Sequence, residues 1–411
     1  MILTLRMIKL YEKGGGNMSR LKGSIAAIGI GEVPTGRYPE RDCMESCVES
    51  AAQAIADAGI DKEAIDFVIP CGTVYSGAYN SDLVTSRVVE ELGLHNVHNN
   101  AQVFSGGASS ASILKVAGSL VHSGIARNVL CVHSEKLGTG LSGQAGIDLF
   151  AYAGIHREWE VPFGQHYSTI AGLVTTRYKY ETGTTDEQIT AVQVSNRKWA
   201  ELNPNAMFRK PLTIEEVMKS KMLSTPIRAK HSNMLADGGA AFIVTSAERA
   251  RDLTDTPVYV LGSGGRVTHH SLSQEADITR FGYADAAAEA FSEANLTPKD
   301  IDIAEIYDSY PIFELIALEE MGFVERGQAG AFFMAGHTWP GGKLPTTTNG
   351  GMSSQGHTGG GGGVAILVEA IRQLMGKAGQ RQVKDARFAA VTATGGTYVD
   401  AQIEILGNEI T

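Results

Sequence analysis

Residues 51–69, AAQAIADAGIDKEAIDFVI, return as residues 287–306, AAEAFSEANLTPKDIDIAEI, without a gap at an offset of 236. Ala51, Ala52, Ala54, Ala58, Ile65 and Asp66 recur as Ala287, Ala288, Ala290, Ala294, Ile301 and Asp302. Such a repeat constrains the fold strongly, because each copy must be one structural unit with its own packing surface. In both copies a helical pattern is followed by a turn and a short apolar run. Ile25 to Val33 reads as a buried strand. Asp42 caps a helix with Met44, Cys47, Val48, Ala51, Ile55 and Ala58 on its apolar face, and Gly59 ends it. Ile65 to Cys71 reads as a strand, Ser105 to Ser112 leads into a helix ending near Gly124, and Asn128 to Val132 is a further strand. The second copy continues with a glycine-rich turn, a helix around Val364 to Met375 and a strand from Phe388 to Thr392. The chain therefore reads as two related α/β halves with largely buried strands.

Between the strand at 128–132 and one at Ala240 to Thr245 lies an insertion of about a hundred residues, a length that usually carries function. Within it stand eight basic residues, Arg197, Lys198, Arg209, Lys210, Lys219, Lys221, Arg228 and Lys230, against Glu201, Glu215 and Glu216. The whole chain has a formal net charge of −10, which argues against a general nucleic-acid binder. The basic insertion reads either as a solvated face or as a landing site for a phosphate-bearing ligand. The four cysteines, Cys43, Cys47, Cys71 and Cys131, form no C-x-x-C pair and sit in apolar segments, which suits reduced thiols in a cytoplasmic protein. No uncharged apolar run is long enough to span a membrane. Residues 1–20 read as a dispensable extension, with Met18 a candidate start.

Three segments carry candidate chemistry. VFSGGASSAS (103–112) feeds a helix start, where free N–H groups and the dipole would activate a nucleophile or hold an oxyanion; close helix packing explains the same small residues. EIYDSYP (305–311) places Tyr307 and Asp308 at the C-terminal end of a strand, where α/β sheets build their sites, although a strand-end tyrosine is also an ordinary core residue. TNGGMSSQGHTGGGGG (348–363) sets His357 among eight glycines, where packing explains it poorly. No histidine has ligand-like spacing, so no metal site is expected. Ser105, Ser109 and Ser110 leave serine catalysis open, but no G-x-S-x-G elbow supports it.

The repeat, the insertion, ADGGAAFIVTS (236–246), NPNAMFRKPLTIEEVMKSKMLSTPIR (203–228) and GGMSSQGHTGG together resemble the thiolase superfamily, closest to the sterol-carrier-protein (SCP-x) type and its lipid-transfer-protein-like relatives. The likeness runs from about Leu21 to Leu406. It implies a thiolase fold: two βαβαβ-type halves, 21–256 and 257–411, in a five-layered α-β-α-β-α arrangement, with a loop domain at about 137–236 in the first half. It also implies a coenzyme A thioester as substrate, no permanently bound cofactor, and a homodimer or dimer of dimers.

The family's nucleophilic cysteine falls on Gly107, counting back without a gap from GIARNVLCVHSEK (124–136). The H-D-C-F motif becomes Tyr307-Asp308-Ser309-Tyr310, the G-H-P motif is Gly356-His357-Thr358, and the closing glycine turn is Gly395-Gly396. Glycine cannot form an acyl-enzyme, so ordinary thiolysis is not expected. Some cysteine-less relatives are aldolases working beside a small OB-fold, zinc-ribbon partner. The resemblance then assigns Tyr307, as phenolate with a neighbouring donor or cation lowering its pKa, to take a β-hydroxyl proton. It assigns His357 to donate to the thioester oxygen and Asp308 and Ser309 to orient Tyr307. Gly107 would clear room for a bulky β-carbon, Ser109, Gly395 and Gly396 would bind substrate or oxyanion, and Arg209, Lys210 and Arg228 would bind coenzyme A. A non-catalytic acyl-CoA or lipid carrier, or a scaffold subunit, and acyl transfer from Ser109 or Ser110 are the competing readings.

Overall fold

The computed structural model describes residues 21–71, 84–140, 144–146, 148 and 154–411; the extension at 1–20 lies outside them. In the first half β1 (Ile25–Gly36) is followed by α1 (Cys43–Ala58), β2 (Phe67–Pro70), α2 (Val84–Leu92), the two-residue β3 (Asn99–Asn100), α3 (Ser109–His122) and β4 (Asn128–Lys136). The insertion carries α4 (Tyr167–Thr182), α5 (Asp186–Leu202) and a hairpin of β5 (Met222–Ser224) and β6 (Ile227–Arg228), after which β7 (Asp237–Ser246) returns to the sheet. The second half runs β8 (Val258–Val267), α6 (Tyr283–Ala294), β9 (Ile303–Glu305), α7 (Pro311–Glu320), α8 (Gly362–Leu374), β10 (Phe388–Gly395) and β11 (Asp400–Gly407).

The sheet order is β3-β2-β4-β7-β1-β8-β11-β10-β9. Setting β3 aside, the order is a palindrome: β2, β4, β7 and β1 correspond to β9, β10, β11 and β8. Pairing senses agree as well, parallel for β2–β4 and β9–β10, antiparallel for β1–β7 and β8–β11. The half-sheets meet through Ala26↔Tyr259 and Ala27↔Val258, so the edges of β1 and β8 cover each other. Helices α3 and α8 pack against strands of both halves, α1 against the first half-sheet and α6 against the second. This gives the helix–sheet–helix–sheet–helix layering.

The repeat acts at corresponding places. Asp42 makes a capping box with Glu45 at the start of α1. Gly59 and Asn295 both end their helices in the left-handed region, at φ 64 and 57. Asp66 accepts from the amides of Arg127 and Asn128 at the start of β4, and Asp302 accepts from Arg387 and Phe388 at the start of β10. Each aspartate therefore ties one parallel strand to the next.

Helix packing is equally matched. A Cβ at Gly31 would lie 1.9 Å from the Ser50 carbonyl of α1, and one at Gly264 1.9 Å from the Ala286 carbonyl of α6. Backbone cannot yield there without moving the helix. Gly31→Ala and Gly264→Ala should each cost about 1–3 kcal/mol, read by chemical denaturation, and the two losses should be similar if the halves are packed equivalently.

Candidate active site

Tyr307 is the second residue after β9, and its amide donates to Thr392 Oγ1 on β10 at 2.9 Å. Pro311 begins α7, at a position that needs no amide hydrogen, and turns the chain away from the sheet. His357 arrives from the other side. Its amide donates to Met234 O at 2.8 Å and its carbonyl accepts from Ala236 at 3.0 Å, which fixes the loop against the entry to β7. The glycine run around His357 is buried throughout. Its composition has a packing cause: a Cβ at Gly361 would fall 1.8 Å from the His133 ring.

The two side chains meet at the cavity wall. Tyr307 Oη stands 3.2 Å from His357 Nε2, both groups being buried. A Cβ on Gly107 would lie 2.5 Å from Tyr307 Oη, 2.6 Å from its Cζ and 2.2 Å from Thr394 O. The phenol therefore fills the space into which a side chain at 107 would project. Gly107 makes room for Tyr307 rather than for the β-carbon of a substrate.

Electrostatics differ from the expectation of a lowered phenol. Burial, and then Tyr167, Asp308, Tyr283 and Cys71, push the Tyr307 hydroxyl up. Burial, then His133, pushes His357 down to about 4. At neutral pH the pair is a neutral phenol beside a neutral imidazole, with the O–H able to donate to Nε2.

A cavity of about 460 Å³ opens onto this pair, with Gly107, Ser309 and Gly396 also in its wall. Asp308 lies behind it. Its carboxylate accepts from the amides of Met352 at 2.7 Å and Ser353 at 3.3 Å and from Asn196 Nδ2 at 3.0 Å. It thus holds the loop leading to His357 instead of the Tyr307 ring. Ser309 bonds the Tyr398 hydroxyl, so it does not orient Tyr307 either. Ser109 is buried at the start of α3, donating to Gly106 O and accepting from the Ser105 amide, and does not line the cavity. Gly395 packs against the Ser105 carbonyl. Arg209 and Lys210 are exposed, and Arg228 donates to Ser220 O; none of the three lines the cavity. No cysteine lines it. Cys71 lies behind Ser109, and burial raises its thiol to about 12.

The C-terminal part of the chain, residues 264–408, matches the family model described as "Thiolase C-terminal domain-like". The acetyl-CoA acetyltransferase of Methanothermobacter thermautotrophicus is 33% identical over 383 residues, 93% of this chain and 98% of that protein. The chain belongs to the thiolase superfamily. This thiolase-family chain is also 30% identical to the steroid side-chain-cleaving aldolase of Thermomonospora curvata, over 95% of its own length and 99% of the relative's. A solved structure titled Ltp2-ChsH2(DUF35) aldolase superposes with a TM-score of 0.83 at 28% identity, covering 95% of this chain and 99% of the other.

Sequence reasoning missed much of the thiolase-family cavity. Tyr167, Tyr310 and Tyr398 line it with Tyr307. Tyr310 stands three residues after Tyr307 and Tyr398 two after Gly396, so both were within reach of the motifs. Tyr167, and the imidazole of His133 behind the loop, whose Nε2–H donates to Thr358 O at 2.9 Å, had no sequence signal.

Gly107→Ala should lower stability in the parent and less so in a Tyr307→Ala background. A double-mutant cycle should give a coupling of about 0.5–3 kcal/mol, the Thr394 carbonyl keeping some cost in both backgrounds. A second check is pH. An unfolded histidine takes a proton near 6.5, whereas folded His357 refuses it until about 4. Its contribution therefore makes the parent less stable as pH falls through that window. His357→Gln removes this term, so its stability relative to the parent should rise by about 3 kcal/mol between pH 7 and pH 4, measured by denaturant midpoints.

Proposed function

We propose that this thiolase-family chain is an enzyme that makes or breaks a C–C bond in acyl-CoA thioesters by retro-aldol chemistry on a β-hydroxyacyl-CoA, without an acyl-cysteine. The carrying observation is that the Tyr307 phenol, in contact with His357, occupies the space where a side chain at 107 would stand. The names borne by the aldolase relatives support the same reading.

Tyr307 takes the substrate's β-hydroxyl proton while its own proton passes to His357 Nε2. The Cα–Cβ bond breaks, its electron pair goes into the thioester enolate, and the β-carbon leaves as an aldehyde or ketone. The enolate carbon then takes a proton back from His357 through Tyr307, which restores the neutral pair and releases the shortened acyl-CoA. Unassisted, the raised phenol is a poor acid, so its oxygen becomes basic only as His357 accepts. His357 thus serves as proton acceptor and donor rather than as a donor to the thioester oxygen alone.

Several finer assignments belong to the same proposal. Arg209, Lys210 and Arg228 meet the coenzyme A phosphates, and backbone at Gly395 and Gly396 helps hold the thioester, with Ser109 bracing the turn. Asp308 and Ser309 support the loop and wall. The enzyme works in the cytoplasm as a homodimer or dimer of dimers, without a permanently bound cofactor, beside a small OB-fold, zinc-ribbon protein.

Tyr307→Phe should lower cleavage by roughly 10²–10⁴-fold, followed as released aldehyde or ketone, while thioester binding by calorimetry stays within a few fold. Retained turnover would remove Tyr307 from the chemistry.

A further inference from the structure

One residue of the cavity wall is held in a strained backbone conformation. Among the described residues, Asn295, Thr347, Asp385 and Tyr398 have positive φ without being glycine, and Tyr398, at φ 67, is the one that lines the cavity. A bulky residue rarely adopts the left-handed region and stays there only where its surroundings fix it. Here they do. The buried Tyr398 ring stacks on Phe313 with centroids 3.3 Å apart and lies 5.6 Å from the Phe281 ring. A turn that required only this backbone would be served by glycine or asparagine. What tyrosine adds is a hydroxyl held at a set point of the wall.

The phenols of the wall differ in what they can still donate. Tyr167 donates to Gly396 O at 2.9 Å, which commits its hydrogen, because a carbonyl only accepts. The Tyr307 hydrogen is directed at His357 Nε2. Tyr398 bonds the hydroxyl of Ser309, which also stands in the wall. Two hydroxyls carry two hydrogens for the one bond between them. When Ser309 donates to the phenol oxygen, the phenol hydrogen is left to point at another acceptor. Burial pushes the Tyr398 hydroxyl well above its ordinary value, which keeps that hydrogen in place. Tyr310 has a similar partner in Ser168 at 2.8 Å, but its backbone is extended, at φ −146, and carries no such strain.

We propose that Tyr398 is a further catalytic residue, whose phenol, backed by Ser309, donates to the thioester oxygen on which the enolate charge forms. A donor fixed before the charge develops needs no reorganisation when it does. The effect on cleavage rests on the retro-aldol reading; the contact with the thioester oxygen is tested without it.

The experiment compares the full chain with Tyr398→Phe, which keeps the ring and removes the O–H. Cleavage of 3-hydroxybutanoyl-CoA and 3-hydroxy-3-phenylpropanoyl-CoA is followed as released aldehyde. In the variant kcat should fall by roughly 10²–10³-fold, while KM stays within about threefold. Butanoyl-CoA has no β-hydroxyl and is not cleaved, so isotope-edited infrared spectroscopy can read its bound thioester carbonyl. The band should lie below the free value in the parent and move back up in Tyr398→Phe. Should that variant not fold, Ser309→Ala, which leaves the ring in place, should move both readouts in the same directions by a smaller amount, and unchanged values would overturn the proposal. It is also overturned if the parent band sits at the free value, or if Tyr398→Phe leaves the band or a measurable parent kcat unchanged. A band that moves in the variant, with no cleavage by the parent, would keep the Tyr398 contact and overturn the retro-aldol reading alone.

Discussion

A side chain at residue 107 and the phenol of Tyr307 compete for one place. With the virtual Cβ at 2.5 Å from Oη and 2.2 Å from a main-chain carbonyl, both cannot be present without moving β10 or the turn before α3. Glycine at 107 and the phenol at 307 therefore form one steric arrangement at two positions. It leaves residue 107 without a side chain and places a proton-carrying oxygen 3.2 Å from the imidazole of His357. A residue without a side chain offers no nucleophile at that place.

The frame around that pair keeps its charges elsewhere. Glu369 is held by Arg381 at 2.7 Å, and Glu32 by Arg372 at 2.7 Å, and none of the four lines the cavity. Burial alone would raise Glu369, but Arg381 and Arg372 outweigh it and hold its carboxyl below the usual range. Glu305 and Glu314 lack such a direct cation and are pushed up by burial, Glu305 bonding Thr348 and Glu314 bonding Thr347 and Asn196. Asn196, on α5 of the insertion, donates to Asp308 and Glu314 together, while Arg197 reaches Ser354. The insertion thereby braces the loop that presents His357. Removing any one of these groups would strand a buried partner, so the loop is specified by mutual satisfaction of polar atoms.

The repeat made the two halves legible because its aspartates and helix-ending residues act locally, within one helix–turn–strand unit. Asp66 and Asp302 could be aligned from the sequence, although only the strand pairing shows what their carboxylates hold. Tyr307, His357 and Gly107 were legible as motif positions, but their mutual contact was not. They are separated by up to 250 residues, and no periodicity records that a missing Cβ at one makes room for a ring at another. The glycines around His357 read as poorly explained by packing for a related reason. Gly361 makes room for the His133 ring on β4, Gly350 for Ala200 and Gly363 for Ser110, all distant neighbours in sequence. Adjacency to Tyr307 suggests Asp308 and Ser309 as its orienting groups, but adjacency in sequence stands in poorly for direction in space, where successive residues beyond a strand point apart.

The neutral resting state of the pair sets the energetics of a proton relay. Lowering His357 from 6.5 to about 4 corresponds to about 3 kcal/mol against the imidazolium. An enolate formed within about 4 Å of that imidazolium would attract it by about 4 kcal/mol at an effective dielectric of about 20. The two effects are of one size and opposite sign. Burial thus keeps the resting pair uncharged, and under the proposed mechanism a developing enolate would return what protonation of His357 costs. A permanent cation at that position would bind anions before any bond had broken, and so would stabilise ground state and transition state alike. Under that mechanism the neutral pair would respond only when the reaction itself creates charge.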